Sequence, residues 1–231
     1  MKKINNFFHK DEWLSKILKK NTYSISNPIK KTIIYPKKSE FVFTKINKKK
    51  KKVINFFLLN KFKKINSNII FAKKINPNKN ILIENLRNAF KKDLNKLQKI
   101  SAKNLIKSRF NIDKRISKKK SETIKKEWVK NFFLKKRGNA LLVFEKERKI
   151  AGFILLLFKK KDLIIDLIAL HKIYQNKGFG KNLINYIEFK YKDKFEKIKV
   201  GTQSNNPQSI KFYKKMGFKK IEEFVVLHKH I

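Results

Sequence analysis

A buried strand that runs into a glycine loop is the feature of this sequence that most restricts its fold. Residues 163–170 read LIIDLIAL, an apolar run of strand length in which Asp166 is the one interruption. Such a run predicts a strand that is covered on both faces. A turn at 171–174 follows, and QNKGFGK comes next at 175–181. The pattern therefore predicts a strand, a turn, a glycine loop and a helix in succession.

The glycine loop is a candidate site for a phosphate or a pyrophosphate. Gly178 and Gly180 let the backbone approach a ligand closely, because neither residue carries a Cβ. A helix N-terminus adds unpaired N–H donors and a partial positive charge, and Lys177 and Lys181 add full charges. A tight turn without a ligand is the alternative for the loop taken alone. The dinucleotide-binding G-x-G-x-x-G pattern does not fit, because Leu183 stands at the third glycine.

Two motifs resemble those of a known enzyme superfamily. Gln175-x-x-Gly178-x-Gly180 after an apolar strand is similar to the Q/R-x-x-G-x-G/A motif of the GNAT acyl-CoA-dependent N-acyltransferases. Residues 206–218, NPQSIKFYKKMGF, resemble the motif N-x-x-A-x-x-(L/F)-Y-x-x-x-G-F, with Ser209 in place of the usual alanine. The resemblance implies an α/β (α+β) fold with a central mixed, mostly antiparallel sheet flanked by helices.

The same resemblance implies that the chain is an enzyme that uses acetyl-CoA as a cosubstrate, without a metal. The loop would hold the pyrophosphate, and the backbone of the preceding strand would pair with the pantetheine arm. Tyr213 would protonate the departing thiolate, although a core aromatic is the alternative for this residue. The residues implied to bind acetyl-CoA are Ile168, Ala169, Leu170, Gln175, Asn176, Lys177, Gly178, Phe179, Gly180, Lys181 and Asn206.

The sequence does not single out a general base. Asp166, Glu145 and His171 are candidates by position only, and a chain of water molecules is the alternative. Arg109, Asp113 and Asp166 are predicted to contact the substrate, although an ion pair between Arg109 and Asp113 that fixes the loop would explain those two residues equally well.

Two histidines near the C-terminus are predicted to be structural. His228 and His230 lie two residues apart and would share one face of a strand. A metal site would need a third ligand, which no sequence pattern suggests.

A narrower resemblance concerns the acceptor. S-R-F-x-x-D at 108–113, W-x-x-N at 128–131, K-R-G at 136–138 and I-D-L-I-A at 165–169 are similar to sugar-nucleotide N-acetyltransferases of the TDP-fucosamine type. Those enzymes carry an extra N-terminal lobe, and their acceptors imply a role in surface glycan synthesis. The resemblance therefore implies that acetyl is transferred to a nucleotide-linked amino sugar.

Residues 1–79 are predicted to form a small strand-rich N-terminal lobe, and residues 80–231 the N-acetyltransferase domain. The turn NPNKN at 76–80 marks the boundary. Apolar runs within the lobe predict strands at 33–35, 41–43, 53–59 and 69–71. Beyond the boundary, apolar periodicity and capping residues predict strands at 81–90, 140–144, 150–158, 163–170, 197–203 and 218–231, and helices from 93, over 118–133, after 180 and from 207.

The net charge of +44 raises the question of nucleic acid. Only five of the 61 basic residues are Arg, and the lysines are spread along the whole chain. Abundant Lys, Asn, Ile and Phe indicate a bias in base composition, so we expect no specific nucleic acid to bind. The surface should still attract polyanions and favour an anionic substrate.

Cysteine is absent and no apolar segment approaches the roughly 18 residues of a membrane span, so we expect a cytoplasmic protein that is not exported. Two alternatives to the sugar-nucleotide enzyme stay open. One is a GNAT enzyme that acetylates a protein N-terminus, a lysine or a small amine. The other is a basic nucleic-acid-binding protein without catalysis. The oligomeric state also stays open, with a homodimer as one alternative.

Overall fold

The protein is described by a computed structural model that covers residues 7–26, 33–76 and 85–231. A single mixed sheet runs through these residues. Its ten strands have the spatial order β1-β2-β3-β10-β4-β9-β8-β7-β6-β5. Only the pairs β2–β3 and β8–β9 are parallel, which confirms the predicted mixed, mostly antiparallel sheet. The strands are β1 (Phe8–Lys10), β2 (Thr22–Ile25), β3 (Phe41–Asn47), β4 (Lys63–Lys74), β5 (Leu86–Asn88), β6 (Ala140–Lys146), β7 (Lys149–Lys159), β8 (Asp162–Leu170), β9 (Lys197–Gln203) and β10 (Lys219–His230).

Helices cover both faces of the sheet. They are α1 (Glu12–Leu18), α2 (Lys51–Leu59), α3 (Leu94–Asn104), α4 (Arg109–Ile112), α5 (Lys118–Phe133), α6 (Phe179–Tyr191) and α7 (Pro207–Lys215). Leu183 of α6 and Tyr213 of α7 belong to one core cluster, whereas Leu97 of α3 and Val129 of α5 belong to another. Each helix buries one apolar stripe, so the sheet is enclosed between two helical layers.

A bulge divides β8 between these two cores. The antiparallel pairing of β8 with β7 skips Asp166. Before the bulge, Leu163 and Ile165 pack in the core under α6 and α7; after it, Leu167 and Ala169 pack in the core under α3 and α5. An extra residue in one strand reverses which face its neighbours point to. The apolar run at 163–170 therefore serves both cores, as its near-continuous hydrophobicity predicts.

The pairing of β8 with β9 stops halfway along β8. Asp162 to Ile165 pair in parallel with residues 197–200, and the two strands separate beyond that point. β9 continues instead along β4, where Gln203 pairs with Asn68. The edge of residues 166–170 that faces β9 consequently has no strand partner within the described ranges. A gap opens in the middle of the sheet.

The segment before residue 79 contributes to this central region. β4 lies between β9 and β10, with Ile70 opposite Gly201 on one side and Glu222 on the other. Phe71 of β4 also packs in the same core as Tyr213. The two parts of the chain thus share one sheet, and the domain boundary at 79 stays a prediction.

The prediction of a strand at 53–59 is wrong, because these residues lie within helix α2. Val53, Ile54 and Phe57 have helical spacing and pack together in one cluster, whereas Leu59 is 84% exposed. A short apolar run does not distinguish a strand from a one-sided helix by hydrophobicity alone. Residues 33–35 form no strand either.

Other predicted elements agree with the structure to different degrees. The helix over 118–133 and the strand at 197–203 are confirmed at both ends. The helix predicted from Asp93 begins after a 3-10 turn and ends at Asn104, so Leu105 and Ile106 lie beyond it. The predicted turn at 76–80, apart from its first residue, and the first four residues of the strand at 81–90 lie outside the described residues. Within the described ranges, no helix has the length and hydrophobicity needed to cross a membrane.

Candidate active site

The glycine loop opens helix α6 at the end of β8. Gly178 is the N-cap residue and has φ +82°, a left-handed conformation that favours glycine. No atom lies within 4 Å of the Cβ position at Gly178, so the loop faces open space there. The N–H groups of Phe179 and Gly180 find no hydrogen-bond partner among the residues that the structure describes. Exposed Lys177 and Lys181 flank these donors.

The other residues of the loop have structural partners. The Nε2 group of Gln175 donates to the carbonyl oxygen of Leu170 and to Asn104 Oδ1, both at 3.0 Å. Asn176 accepts from the side chain of Gln208 at 3.1 Å. A Cβ on Gly180 would lie 3.2 Å from the ring of Phe212. Gln175 therefore ties the loop to the open strand, and Gly180 permits the close packing of α6 on α7.

Tyr213 is buried in the core beside this loop. It is 4% exposed and contacts the rings of Phe71, Phe212 and Phe218. Its hydroxyl group has no hydrogen-bond partner among the described residues, and burial raises the pKa of the phenol. The phenol is consequently protonated at neutral pH and has a proton to donate.

Asn206 caps helix α7, as the sequence predicts. Its side chain accepts from the N–H of Ser209 at 3.2 Å, and Pro207 occupies the first turn. The contact of Asn206 with a cofactor stays a prediction.

At the start of the gap, Asp166 is held by Arg137. Both carboxylate oxygens of Asp166 accept from the guanidinium group, with 2.8 Å between Arg137 Nη2 and Oδ1. The two side chains line an open cavity of about 450 Å³ together with Lys135 and Lys136. The bulge thus places a carboxylate and several cations where β8 leaves β9.

The other base candidates lie elsewhere. Glu145 forms a salt bridge with Arg87, at 2.6 Å, at the β5–β6 end of the sheet. His171 is exposed after β8, and its backbone N–H donates to the carbonyl oxygen of Ala151. The structure does not bring these residues and Asp166 into one group, so the general base stays unassigned.

Arg109 lies against two aromatic rings rather than in the predicted ion pair. Its guanidinium carbon is 4.0 Å from the centroid of Phe43 and 4.3 Å from that of Phe110, distances typical of cation–π contacts. Its Nη1 group is 3.1 Å from His228 Nε2. Asp113 contacts the far side of the same imidazole, so it reaches Arg109 only through His228.

Asp113 is the third group that joins the two histidines. Its Oδ2 atom is 2.7 Å from His228 Nδ1 and 2.8 Å from His230 Nε2. Ligand atoms of this set lie within 4.8 Å of one another, as a metal site would require. These contacts are hydrogen bonds, however, and the charge of Arg109 beside His228 opposes a cation. The cluster is better described as a buried hydrogen-bond relay.

The partners determine the form of His228. An ionised carboxylate only accepts and a guanidinium only donates, so Nδ1 of His228 carries the proton and Nε2 accepts from Arg109. Burial lowers the pKa of His228 to about 4, against the opposing effect of Asp113. Hydrogen bonds from both histidines hold the pKa of Asp113 well below its usual range despite burial.

Several residues in this region were not predicted from the sequence. A chain of hydrogen-bonded side-chain amides joins β4 and β9 and consists of Asn66, Gln203 and Asn68. Asn66 Oδ1 is buried without a partner among the described residues. Lys45 lies beside them on β3. In the β3 sequence FVFTKIN, Lys45 lies on the same face as Phe41 and Phe43. A lysine on this otherwise aromatic face is the sequence pattern that could have identified Lys45 as a candidate.

An open strand edge that ends in a glycine loop, within a mixed sheet covered on both faces, is the arrangement of an acyl-CoA-dependent N-acetyltransferase. Residues 104–218 match the acetyltransferase (GNAT) family. The chain belongs to this family, whose members use acetyl-CoA as cosubstrate.

One curated relative and two solved structures extend this result. The spore coat polysaccharide biosynthesis protein SpsD of Bacillus subtilis (strain 168) is 28% identical over 123 residues, which cover 53% of this chain but only 42% of that protein. A conserved protein of unknown function from Staphylococcus epidermidis ATCC 12228 has a TM-score of 0.66 and 10% identity, and the alignment covers 99% of this chain and 93% of that one. A GCN5-related N-acetyltransferase from Sphaerobacter thermophilus has a TM-score of 0.53 and 12% identity, over 82% and 59% of the two chains. The two solved structures show the fold.

The buried state of His228 predicts a pH dependence of stability. Its pKa is about 4 in the folded protein and about 6.5 in the unfolded chain, so the unfolded chain binds the proton first as the pH falls. The contribution is complete above about pH 6.5 and is lost towards pH 4, with a slope of up to about 1.4 kcal/mol per pH unit. His228→Gln should remove this slope.

Urea unfolding of both proteins between pH 4.5 and 7 measures the effect. Glu223, whose pKa is also lowered, is present in both proteins and cancels in the comparison. The lowered pKa of Asp113 depends on His228, but it adds little slope above about pH 5, because an Asp carboxyl group in the unfolded chain is already ionised there. Equal slopes in the wild type and the variant would show that His228 is not held neutral.

Proposed function

We propose that this protein transfers an acetyl group from acetyl-CoA to the amino group of a nucleotide-linked amino sugar used in surface glycan synthesis. The gap between β8 and β9, which ends at the glycine loop, is the observation that carries the proposal. The name of the Bacillus subtilis relative, a spore coat polysaccharide biosynthesis protein, supports the choice of acceptor. A cytoplasmic location stays a prediction.

The open edge of β8 suits the pantetheine arm of acetyl-CoA. Peptide-like ligands bind sheet edges by adding main-chain hydrogen bonds, and residues 168–170 have no strand partner on this side among the described residues. The carbonyl of Leu170 already accepts from Gln175, which leaves Ile168 and Ala169 as the principal backbone partners.

The free N–H groups at the start of α6 suit the pyrophosphate. Phe179 and Gly180 supply donors at a helix N-terminus, and Lys177 and Lys181 supply positive charge. The loop follows the open edge directly, so one extended ligand would contact both in order along the chain.

The reaction needs a neutral amine that attacks the thioester carbonyl, and a proton for the sulfur that departs. Tyr213 supplies that proton in this proposal, because it is a protonated phenol whose hydroxyl has no other partner among the described residues. Its ring contacts with Phe71 and Phe218 fix its position. A positioned acid of this kind contributes on the order of 10²-fold to 10⁴-fold in rate.

The proposed acceptor is tested by the products. We expect mass spectrometry to detect an increase of one acetyl group on at least one member of a panel of TDP- and UDP-linked amino sugars, incubated with acetyl-CoA and the enzyme. Peptides with free N-termini or lysines, and free polyamines, form the comparison panel. Acetylation confined to the comparison panel would refute the sugar-nucleotide acceptor.

The glycine loop can be tested with a matched pair of variants. Gly178 and Gly217 both have φ +82°, and neither leaves a Cβ in tight contact, so Ala causes the same backbone strain at both positions. Gly178→Ala should weaken acetyl-CoA binding about tenfold or more, because the strain disturbs the donors of the loop. Gly217→Ala, remote from the loop in sequence, should bind normally.

Calorimetry with acetyl-CoA measures both affinities after circular dichroism has established that the variants are folded. Equal affinities for the two variants would show that the pyrophosphate does not bind at this loop.

Tyr213→Phe tests the proton donor. The change keeps the ring and its packing but removes the acid, so kcat should fall about 10²-fold or more while the affinity for acetyl-CoA changes little. Tyr191→Phe is the control, since Tyr191 is a half-buried tyrosine that packs against the same core at the far end of α6. Normal turnover by Tyr213→Phe, where chemistry limits the rate, would make Tyr213 a core aromatic only.

A further inference from the structure

Lys45 and Arg109 are two cations that no carboxylate neutralises. Neither residue forms a salt bridge with an Asp or Glu in the described parts of the chain. The contacts of Arg109 with two aromatic rings are cation–π contacts, and these rings carry no net charge that would neutralise the guanidinium group. Holding such charges away from water costs free energy unless an anion compensates them.

Both groups have lowered pKa values. Burial lowers the pKa of Arg109 to about 10. Burial, followed by the charges of Arg109 and Arg137, lowers the pKa of Lys45 to about 8. Lys45 nevertheless remains exposed to solvent. Lys45 lies on the same face of β3 as Phe43, whose ring Arg109 covers, so the two cations border one surface, which we call the cleft.

The sheet register gives the course of this cleft. Lys45 of β3 is opposite Val226 of β10, and Val226 is opposite Asn66 of β4. Four strand spacings separate β3 from β8, roughly 19 Å along the sheet. The ring of Trp128 connects the two sides, because its centroid lies 6.2 Å from that of Phe110, which Arg109 covers, and 5.5 Å from the guanidinium carbon of Arg137. The cleft follows this face of the sheet, and its floor carries the amides of Asn66, Asn68 and Gln203.

We propose that Lys45 and Arg109 bind the diphosphate of the acceptor substrate and direct its amino sugar towards the gap beside β8. This inference rests on the proposed function and assigns the orientation of the substrate. A guanidinium group offers paired donors to phosphate oxygens, and an ammonium group adds a mobile point charge. Together they match a group that carries two negative charges.

The amide floor suits the remainder of the substrate. Amide groups both donate and accept hydrogen bonds, as sugar hydroxyl groups do. Asn66 Oδ1 is buried without a partner among the described residues, so it has an unused acceptor for a hydroxyl donor. The sugar would lie between the diphosphate site and Asp166.

His228 has a positioning role in this arrangement. Its Nε2 atom accepts from Arg109, while Asp113 holds the opposite nitrogen at 2.7 Å. The relay thereby fixes the guanidinium group without neutralising it, because the imidazole between them is uncharged. A carboxylate in direct contact with Arg109 would have cancelled the charge that a diphosphate needs.

The test compares Lys45→Gln with Lys64→Gln. Lys64 is an exposed lysine opposite Leu227, which packs in the core on the other face of the sheet, so its removal lowers the net charge equally without touching the cleft. Calorimetry at physiological ionic strength measures the binding of inorganic diphosphate and of TDP to the full chain saturated with coenzyme A. Coenzyme A occupies the glycine loop and prevents it from binding the probes.

We expect both probes to bind about tenfold more weakly to Lys45→Gln, and Lys64→Gln to match the wild type. Equal binding by all three proteins, or equal losses in both variants, would overturn the diphosphate site and indicate attraction by net charge alone.

Kinetics separate this inference from the proposed function. Lys45→Gln should raise the KM for the nucleotide-linked amino sugar about tenfold and leave the KM for acetyl-CoA unchanged. If the sugar nucleotide is acetylated with the same KM by the variant, the site is wrong and the function stands. If no sugar nucleotide is acetylated but both probes still need Lys45, the anion site stands and the proposed acceptor is wrong.

Discussion

The early end of the pairing between β8 and β9 is the constraint on which the rest of this structure depends. Four residues of β8 pair in parallel with β9, after which β9 follows β4 and β8 continues with β7 as its one strand partner in the described ranges. A strand edge without a partner in the middle of a sheet leaves main-chain donors and acceptors to be satisfied. The gap therefore exposes backbone atoms of β8, which the proposed function assigns to the pantetheine arm of acetyl-CoA.

Two interactions keep that gap in shape. The Arg137 fork holds Asp166 at the bulge, where β8 changes the core that its side chains enter. At the end of the strand, Gln175 bonds to the carbonyl of Leu170 and so fixes the direction in which the glycine loop leaves. Helices α6 and α7 cover one face of the sheet, and the polar cleft lies on the other.

The positively charged side chains of this protein differ in their environments. Most lysines are exposed and add only a diffuse field, which attracts anions without selecting among them. Arg109 and Lys45 differ because protein surrounds them and because the hydrogen bond from Arg109 to neutral His228 leaves the charge intact. Composition alone could not separate these two cations from the others, since the distinction depends on their surroundings.

The sequence by itself determined the elements of the acetyltransferase core and its glycine loop, because these depend on local periodicity, capping and backbone freedom. Asn206 caps α7 and Gly178 takes a left-handed φ for reasons that a few neighbouring residues decide. The helix at 53–59, the place of β4 between β9 and β10, and the contact of Asp113 with His228 were decided by tertiary structure. They join residues that are far apart in the chain, 115 positions for Asp113 and His228 and 165 for Lys63 and His228, and no local pattern records which distant partner buries a side chain.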